Sequence, residues 1–298
     1  YCWGYGYYGQ LGNSKSGNLA KSISPTAIVP SSDLRDKAIN SVIVGSSNTC
    51  VLSSGAGGIN QAYCWGQNDY GQVGTGSRSQ LELLPNLVNG EVTVDKSVIS
   101  ISIGNLHGCM VVSNGKLYCW GRNSYGQLGA DSYTDTYSPA LIKETGYLYG
   151  KSIKSIAADG YFHSCAIADD NLAYCWGDNN YGQLGIGTVR NSRVPEPVYV
   201  GTASNQGVLY GKTIKSIVVS RLNAATCAIA ADSSSPDLVY CWGRINDGTL
   251  ATGSRPYSVV PYQVDASGTG MENKSVKQIS MGRDYACAVL EDNEVYCW

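Results

Sequence analysis

All six tryptophans of this chain stand in one context. They occur as Tyr1-Cys2-Trp3, Tyr63-Cys64-Trp65, Tyr118-Cys119-Trp120, Tyr174-Cys175-Trp176, Tyr240-Cys241-Trp242 and Tyr296-Cys297-Trp298. The steps between these cysteines are 62, 55, 56, 66 and 56 residues. A fixed element recurring at such a period constrains the fold strongly: each unit is too small to bury its own apolar faces and must stack on its neighbours.

Each unit carries the same parts in the same order. Behind Trp comes a Gly-rich stretch, WGYGYYGQLG from Trp3, WGQNDYGQVG from Trp65, WGRNSYGQLG from Trp120 and WGDNNYGQLG from Trp176. About twenty residues past each Trp lies a proline (Pro25, Pro85, Pro139, Pro195, Pro261) and then a short apolar run. Next is an alternating run led by a lysine, at Lys96, Lys151, Lys212 and Lys274, and then a small-residue segment with the unit's other cysteine, such as Ser164-Cys165-Ala166-Ile167-Ala168. That makes four short strand candidates per period, with β-branched residues, period-2 alternation and Gly/Pro/Asn punctuation. Four antiparallel strands are the content of one propeller blade, and helical periodicity is absent. The fold class expected is therefore all-β, a β-propeller, as a single region 1–298 with repeats at approximately 3–65, 66–120, 121–176, 177–242 and 243–298.

The cysteines supply the register. Apart from Cys2 they fall into the pairs Cys50 and Cys64, Cys109 and Cys119, Cys165 and Cys175, Cys227 and Cys241, and Cys287 and Cys297, separated by 10 or 14 residues. An even separation places two residues opposite each other in a hairpin with an odd-numbered loop, because successive side chains alternate between faces. For Cys165 and Cys175 this sets Ala166 against Tyr174, Ile167 against Ala173 and Ala168 against Leu172, with a loop Asp169-Asp170-Asn171. Three-residue hairpin loops favour Gly or Asn at a left-handed third position, and the three short hairpins have Gly115, Asn171 and Asn293 there. Counting out from the loop makes each Cys pair non-hydrogen-bonded, with Cα atoms roughly 4.5 Å apart, at the short end of what a disulfide tolerates. Disulfides are expected, with unpaired structural thiols and metal ligation as the competing readings. Structural zinc usually brings C-x₂₋₄-C pairs, and the sequence has none. Cys2 is left unpaired, its partner belonging on a strand upstream. The chain is accordingly expected to be cut at both ends within a longer protein, as five complete units of what would be a seven-bladed ring.

The WGxNxxGQLG core resembles the RCC1 repeat family (regulator of chromosome condensation), over essentially the whole chain. The resemblance implies a propeller, most often seven-bladed. The fourth unit departs from it: Gly243-Arg244-Ile245-Asn246-Asp247-Gly248-Thr249-Leu250-Ala251 lacks the Asn, Tyr, Gln and final Gly, so a local distortion of that loop is expected. The family's nuclear namesake works in a reducing compartment. Five disulfides persist only in an oxidising one, so an extracytoplasmic location, secreted or at the cell surface, is expected here.

Several motifs invite a chemical reading. Gly146-Tyr147-Leu148-Tyr149-Gly150-Lys151-Ser152 and Gly207-Val208-Leu209-Tyr210-Gly211-Lys212-Thr213 look like phosphate loops, but have three residues between the glycines where the loop needs four, and they open strands. His107 and His163 sit two residues before a hairpin cysteine, where the other units hold Asn48, Ala225 and Tyr285. Equivalent blade positions point apart, so the histidines read as internal hydrogen-bonding groups, a role the resemblance also implies. Asp131 and Asp135 lack the ligand pattern of a calcium loop. Asn273-Lys274-Ser275 is the one glycosylation sequon. No catalytic, metal or cofactor-binding residue is expected.

With net charge −2 and no basic stripe, a nucleic-acid partner is not expected, and no apolar run is long enough to insert in a membrane. The favoured function is non-enzymatic recognition of a protein partner by loops on a rigid scaffold. The candidate binding residues are Tyr133, Tyr137, Tyr147, Tyr149, Arg190, Arg193 and Tyr210, aromatics and arginines set among Ser, Asn, Thr and Gly as in antibody paratopes. The alternative from the family resemblance is a guanine-nucleotide exchange factor for a small GTPase. A carbohydrate-active or lyase propeller would need converging acids or a histidine centre, which the repeats do not supply.

Overall fold

The alternating β-branched runs form strands in the computed structural model, which describes every residue except 19, 32–33, 159, 161, 203, 221–222, 233–234 and 245–256. Among the described residues there are twenty-one strands and three short 3₁₀ turns, with no α-helix. Four sheets have four antiparallel strands in sequential order. They are β3–β6 (Ile39–Val44, Asn48–Ser54, Asn60–Gln67, Leu81–Leu87), β7–β10 (Val98–Ile103, His107–Val112, Leu117–Gly121, Thr136–Leu141), β11–β14 (Ile153–Ala157, His163–Ala168, Ala173–Gly177, Ser192–Pro197) and β15–β18 (Thr213–Val219, Ala225–Ala231, Leu238–Arg244, Tyr257–Gln263). A two-stranded sheet, β1 (Cys2–Gly4) with β2 (Ser22–Thr26), precedes them, and a three-stranded one, β19–β21 (Val276–Met281, Ala286–Leu290, Val295–Cys297), follows. This is the blade content of a β-propeller.

The sheets and the sequence repeats are out of phase. A sheet starts at the lysine-led run and ends at the proline run, so a boundary drawn at Trp falls inside a sheet, on its third strand. Beside the four complete sheets, the described residues therefore carry third- and fourth-strand types in the first sheet and first to third types in the last. Proline recurs in the fourth strand because that strand lies at the sheet's edge, where a missing N–H breaks no ladder bond. The Gly243–Ala251 segment, for which distortion was expected, lies outside the described residues from 245 onward.

The hairpin register agrees with the cysteine arithmetic. Cys165 faces Cys175, Ala166 faces Tyr174 and Ile167 faces Ala173; the same opposition holds in the other four hairpins. All five pairs are disulfide-bonded, with Cα atoms 4.0 to 4.1 Å apart. The third loop residues take the left-handed conformation, at φ 78° for Gly115, 63° for Asn171 and 67° for Asn293. Cys2 is a free, half-buried thiol, its pKa raised by burial.

The core lies between sheets. One apolar cluster joins Cys165, Ile167 and Cys175 of the third complete sheet to Ile214, Ile217, Tyr240 and Trp242 of the fourth. The next joins Cys227, Ile229 and Cys241 to Val276, Ile279 and Leu290. Adjacent residues of a strand face opposite ways, which explains the order Tyr-Cys-Trp. Tyr and Trp pack on the preceding sheet, and the cysteine between them closes a disulfide on the side of the following one. Contacts between sheets run through their first and second strands, as β7 against β11 and β12 against β15. Alternate connections emerge on opposite rims. One rim carries the cysteine hairpin loops and the links between sheets; the other carries the Gly-rich loops and the short links between first and second strands.

Candidate functional site

The repeated motif is consumed in holding the scaffold together. In the four complete sheets the indole N–H reaches back across a seam to the Gln carbonyl of the preceding Gly-rich loop: Trp65 to Gln10, Trp120 to Gln72, Trp176 to Gln127 and Trp242 to Gln183, at 2.8 to 3.0 Å. The glutamine side chains accept from the backbone N–H of Tyr8, Tyr70, Tyr125 and Tyr181. Asn68, Asn123 and Asn179 accept from Val73, Leu128 and Leu184 five residues on, each bond closing its loop. The final glycine of the motif is required twice over. Gly129 has φ +68°, and a Cβ there would lie 2.8 Å from Trp176 Nε1. Such a loop has little freedom left for a ligand.

In four of the hairpins the Tyr of Tyr-Cys-Trp and the lysine that leads the first strand meet on the hairpin rim. Lys151 pairs with Asp170 at 2.8 Å, and Tyr174 donates to the same carboxylate at 2.7 Å. Lys274, Asp292, Glu294 and Tyr296 repeat the arrangement, and Lys37 donates to the Tyr63 hydroxyl at 2.6 Å. Burial and the Asp170 hydrogen bond push the Tyr174 phenol well above its ordinary range. The two segments that resemble phosphate loops belong to this rim. Their second glycines, Gly150 and Gly211, both with φ 72°, turn the chain into the first strand, and Lys212 pairs with Asp232.

The histidines bridge seams. His107 Nε2 lies 2.9 Å from Ser164 Oγ, and His163 Nε2 lies 3.0 Å from Thr226 Oγ1. Those hydroxyls donate to the Gln127 and Gln183 carbonyls, so each accepts from a protonated Nε2. Burial lowers the His107 pKa to about 4, and burial together with the nearby His107 lowers that of His163 to about 3. Because these values lie below the unfolded one, the unfolded chain binds more protons, and stability falls as pH drops beneath about 6.5. By pH 5 each imidazole should have cost roughly 2 kcal/mol. Denaturant titrations at pH 7 and pH 5 will measure this, and the double variant His107→Gln/His163→Gln should flatten most of the difference. A wild type equally stable at both pH values would show that the rings titrate freely.

The residues expected to bind a partner divide between the two rims. Tyr147 and Tyr149 lie on the link after β10 and Tyr210 on the link after β14, on the hairpin rim; Tyr149 is 80% exposed. Tyr133, Tyr137, Arg190 and Arg193 lie at or before the start of fourth strands, toward the Gly-rich rim. The structure thus does not gather these seven into one surface. Several serve each other: Arg193 pairs with Asp131 at 2.7 Å and stands over the Tyr133 ring, Arg78 stands over Tyr137, and Arg190 pairs with Glu196. Asp131 is held below its usual carboxylate range chiefly by the Arg193 hydrogen bond, and Asp135 accepts from the Asn123 N–H.

Sequence reasoning missed a second set of residues on the Gly-rich rim. The Arg122 guanidinium lies 4.9 Å from the Tyr70 ring and 5.3 Å from the Phe162 ring, and Tyr125 packs on Phe162 at 4.4 Å. One repeat pair further on, Arg244 stands 5.1 Å over Tyr181. Between them is a cavity of about 200 Å³ lined by Phe162, His163, Asp178, Tyr181, Asn223 and Arg244, among others. Burial raises the Asp178 pKa. The signals were present: Phe162 is the chain's one phenylalanine, and the variable third position of the motif reads Gln67, Arg122, Asp178 and Arg244. No group of metal-ligating side chains occurs among the described residues, and no helix is long and apolar enough to cross a membrane.

Blades stapled by disulfides, locked to each other by a Trp-to-loop bond and differing chiefly in their rim residues, define a repeat scaffold. The chain belongs to the RCC1-like domain family, whose pattern it matches over residues 1–298. It is 29% identical over 297 residues to the ultraviolet-B receptor UVR8 of Arabidopsis thaliana, covering 99% of this chain and 60% of that one. Its fold is similar to that of Prp20p from Saccharomyces cerevisiae, at 20% identity and a TM-score of 0.75, covering 99% of this chain and 65% of Prp20p; that structure was described with its binding properties to Gsp1p and histones. It is also similar to the entire ectodomain of the Physcomitrella patens receptor kinase CR4, at 17% identity and a TM-score of 0.51, covering 88% and 53%. The chain therefore spans less than two thirds of each.

Proposed function

We propose that this chain is a non-enzymatic, extracytoplasmic recognition module that binds a protein partner. The observation that carries the reading is the state of the cysteines. Ten of eleven close five disulfides, each in its own hairpin, and eight of those ten are fully buried. Five such bonds suit a compartment that keeps thiols oxidised. The motif residues are occupied in scaffold bonds, which leaves the rims for recognition. The similarity to a receptor-kinase ectodomain fits the same reading, and the relation to UVR8 and the likeness to Prp20p fit a regulatory binding role.

Precipitating intact cells in acid, which freezes thiol exchange, and alkylating them in denaturant tests the compartment. The expected result is that the ten paired cysteines stay unlabelled until a reductant is added, whereas their labelling without reductant would overturn the extracytoplasmic reading. The exchange-factor alternative makes the opposite demand: function with reduced thiols, and acceleration of nucleotide release from a small GTPase.

A further inference from the structure

The repeats can be compared with one another at the third motif position. In the repeat 177–242 Asp178 stands there, and its carboxylate accepts from Gln183 Nε2 at 2.9 Å. In the repeat 121–176 Arg122 stands there, which has no acceptor to offer. The equivalent Gln127 Nε2 is buried and has no hydrogen-bond partner. Arg122 itself lies within cation–π distance of both Tyr70 and Phe162, with Nε donating to Ser124 Oγ at 2.8 Å. No carboxylate among the described residues lies within ion-pair distance of it, although Arg190, Arg193 and Arg283 each have one. The loop of this repeat thus carries two donor groups without the acid that the next repeat provides, and Gln72 Nε2, where Gln67 stands at the third position, is likewise without a partner.

A guanidinium beside two rings and tied through Nε to Ser124 has lost part of its rotamer freedom, and its remaining N–H groups form a planar donor set that suits a carboxylate. Arginine beside aromatic rings is also the composition of interface hot spots. We propose that the rim formed by the Gly-rich loops binds an acidic segment of a protein partner, seating a partner carboxylate on Arg122 between Tyr70 and Phe162. The inference deepens the recognition-module reading and rests on it.

The test is a titration of isotope-labelled protein with hexaglutamate, read at the arginine Nε–Hε signals. The expected result is a saturable shift at Arg122 with neighbouring changes around Tyr70 and Phe162. Arg122→Gln should weaken binding roughly tenfold or more, because a charge-paired anchor is lost. Arg122→Lys should fall between, since it keeps the charge without the flat fork, and Tyr149→Ala on the opposite rim should change nothing. Unaltered melting of the Arg122 variants shows that the fold is intact. Absence of a saturable shift, equal binding by Arg122→Gln, or tighter binding of a thymidine hexanucleotide through Arg122 would each overturn the proposal. Saturation at another face would also remove Arg122 from the site while leaving the recognition-module reading in place. That reading's extracytoplasmic claim fails separately, through the thiol-labelling result.

Discussion

Reduction of the five disulfides should abolish cooperative folding of this chain. Each bond closes a loop set by a separation of 10 or 14 residues, which in the chain-entropy treatment stabilises by about 3 kcal/mol. The five together contribute on the order of 10 kcal/mol or more, comparable with the whole stability of a typical domain. The bonded cysteines of the four complete sheets are fully buried, so native protein resists reductant and the bonds must be opened by a denaturant cycle. After that cycle the oxidised protein should regain its near-ultraviolet dichroism, and the reduced, alkylated protein should not. A single pair gives the graded version: Cys165→Ala/Cys175→Ala should lower the melting temperature by roughly 6 °C or more. Equal recovery by reduced and oxidised chains would show that packing alone suffices, and would take the support from the extracytoplasmic reading.

The hairpins were legible in the sequence because their geometry is local. Parity of the Cys165–Cys175 separation, a left-handed residue at Asn171 and alternation along Ser164–Ala168 all act within a dozen residues, and any one of them sets the same register. The sheet boundaries were less legible, since Trp is the most visible landmark yet sits in the third strand. The site was the least legible. Exposed tyrosines were chosen for composition, and composition does not tell which rim a loop joins, so Tyr149 and Tyr133 end on opposite sides. The Arg122 stack depends on Tyr70 and Phe162, which lie 52 residues before it and 40 after it. Only the stacking of three successive sheets brings them together. The histidines show the same limit. Their position two residues before a cysteine was visible, but the hydroxyls they meet, Ser164 and Thr226, belong to the next unit in each case.

The tryptophans make the dependence on neighbouring units measurable, because one motif residue occurs in two environments. Trp176 is fully buried in a cluster shared with the preceding sheet and donates to Gln127 O at 2.8 Å. Trp3 is 62% exposed, and no hydrogen bond of its indole is found among the described residues. Trp176→Ala should therefore cost about 3–5 kcal/mol through lost burial and the cavity left behind, with the Gln127 carbonyl keeping only the Ser164 hydroxyl of its two donors. Trp3→Ala should stay within about 0.5 kcal/mol, as surface substitutions do. In a stack whose stability is a sum of unit and nearest-neighbour terms, weakening one seam also reduces cooperativity across it. Denaturant unfolding of Trp176→Ala should then broaden or split, with the sheets on either side of the seam exchanging their amides at different rates. A single sharp transition with unchanged slope, merely shifted to lower denaturant, would mean that the seams are not the weak links between units. Equal losses from Trp3→Ala and Trp176→Ala would contradict the claim that the Trp-to-loop bond, rather than the residue itself, is what locks one blade to the next.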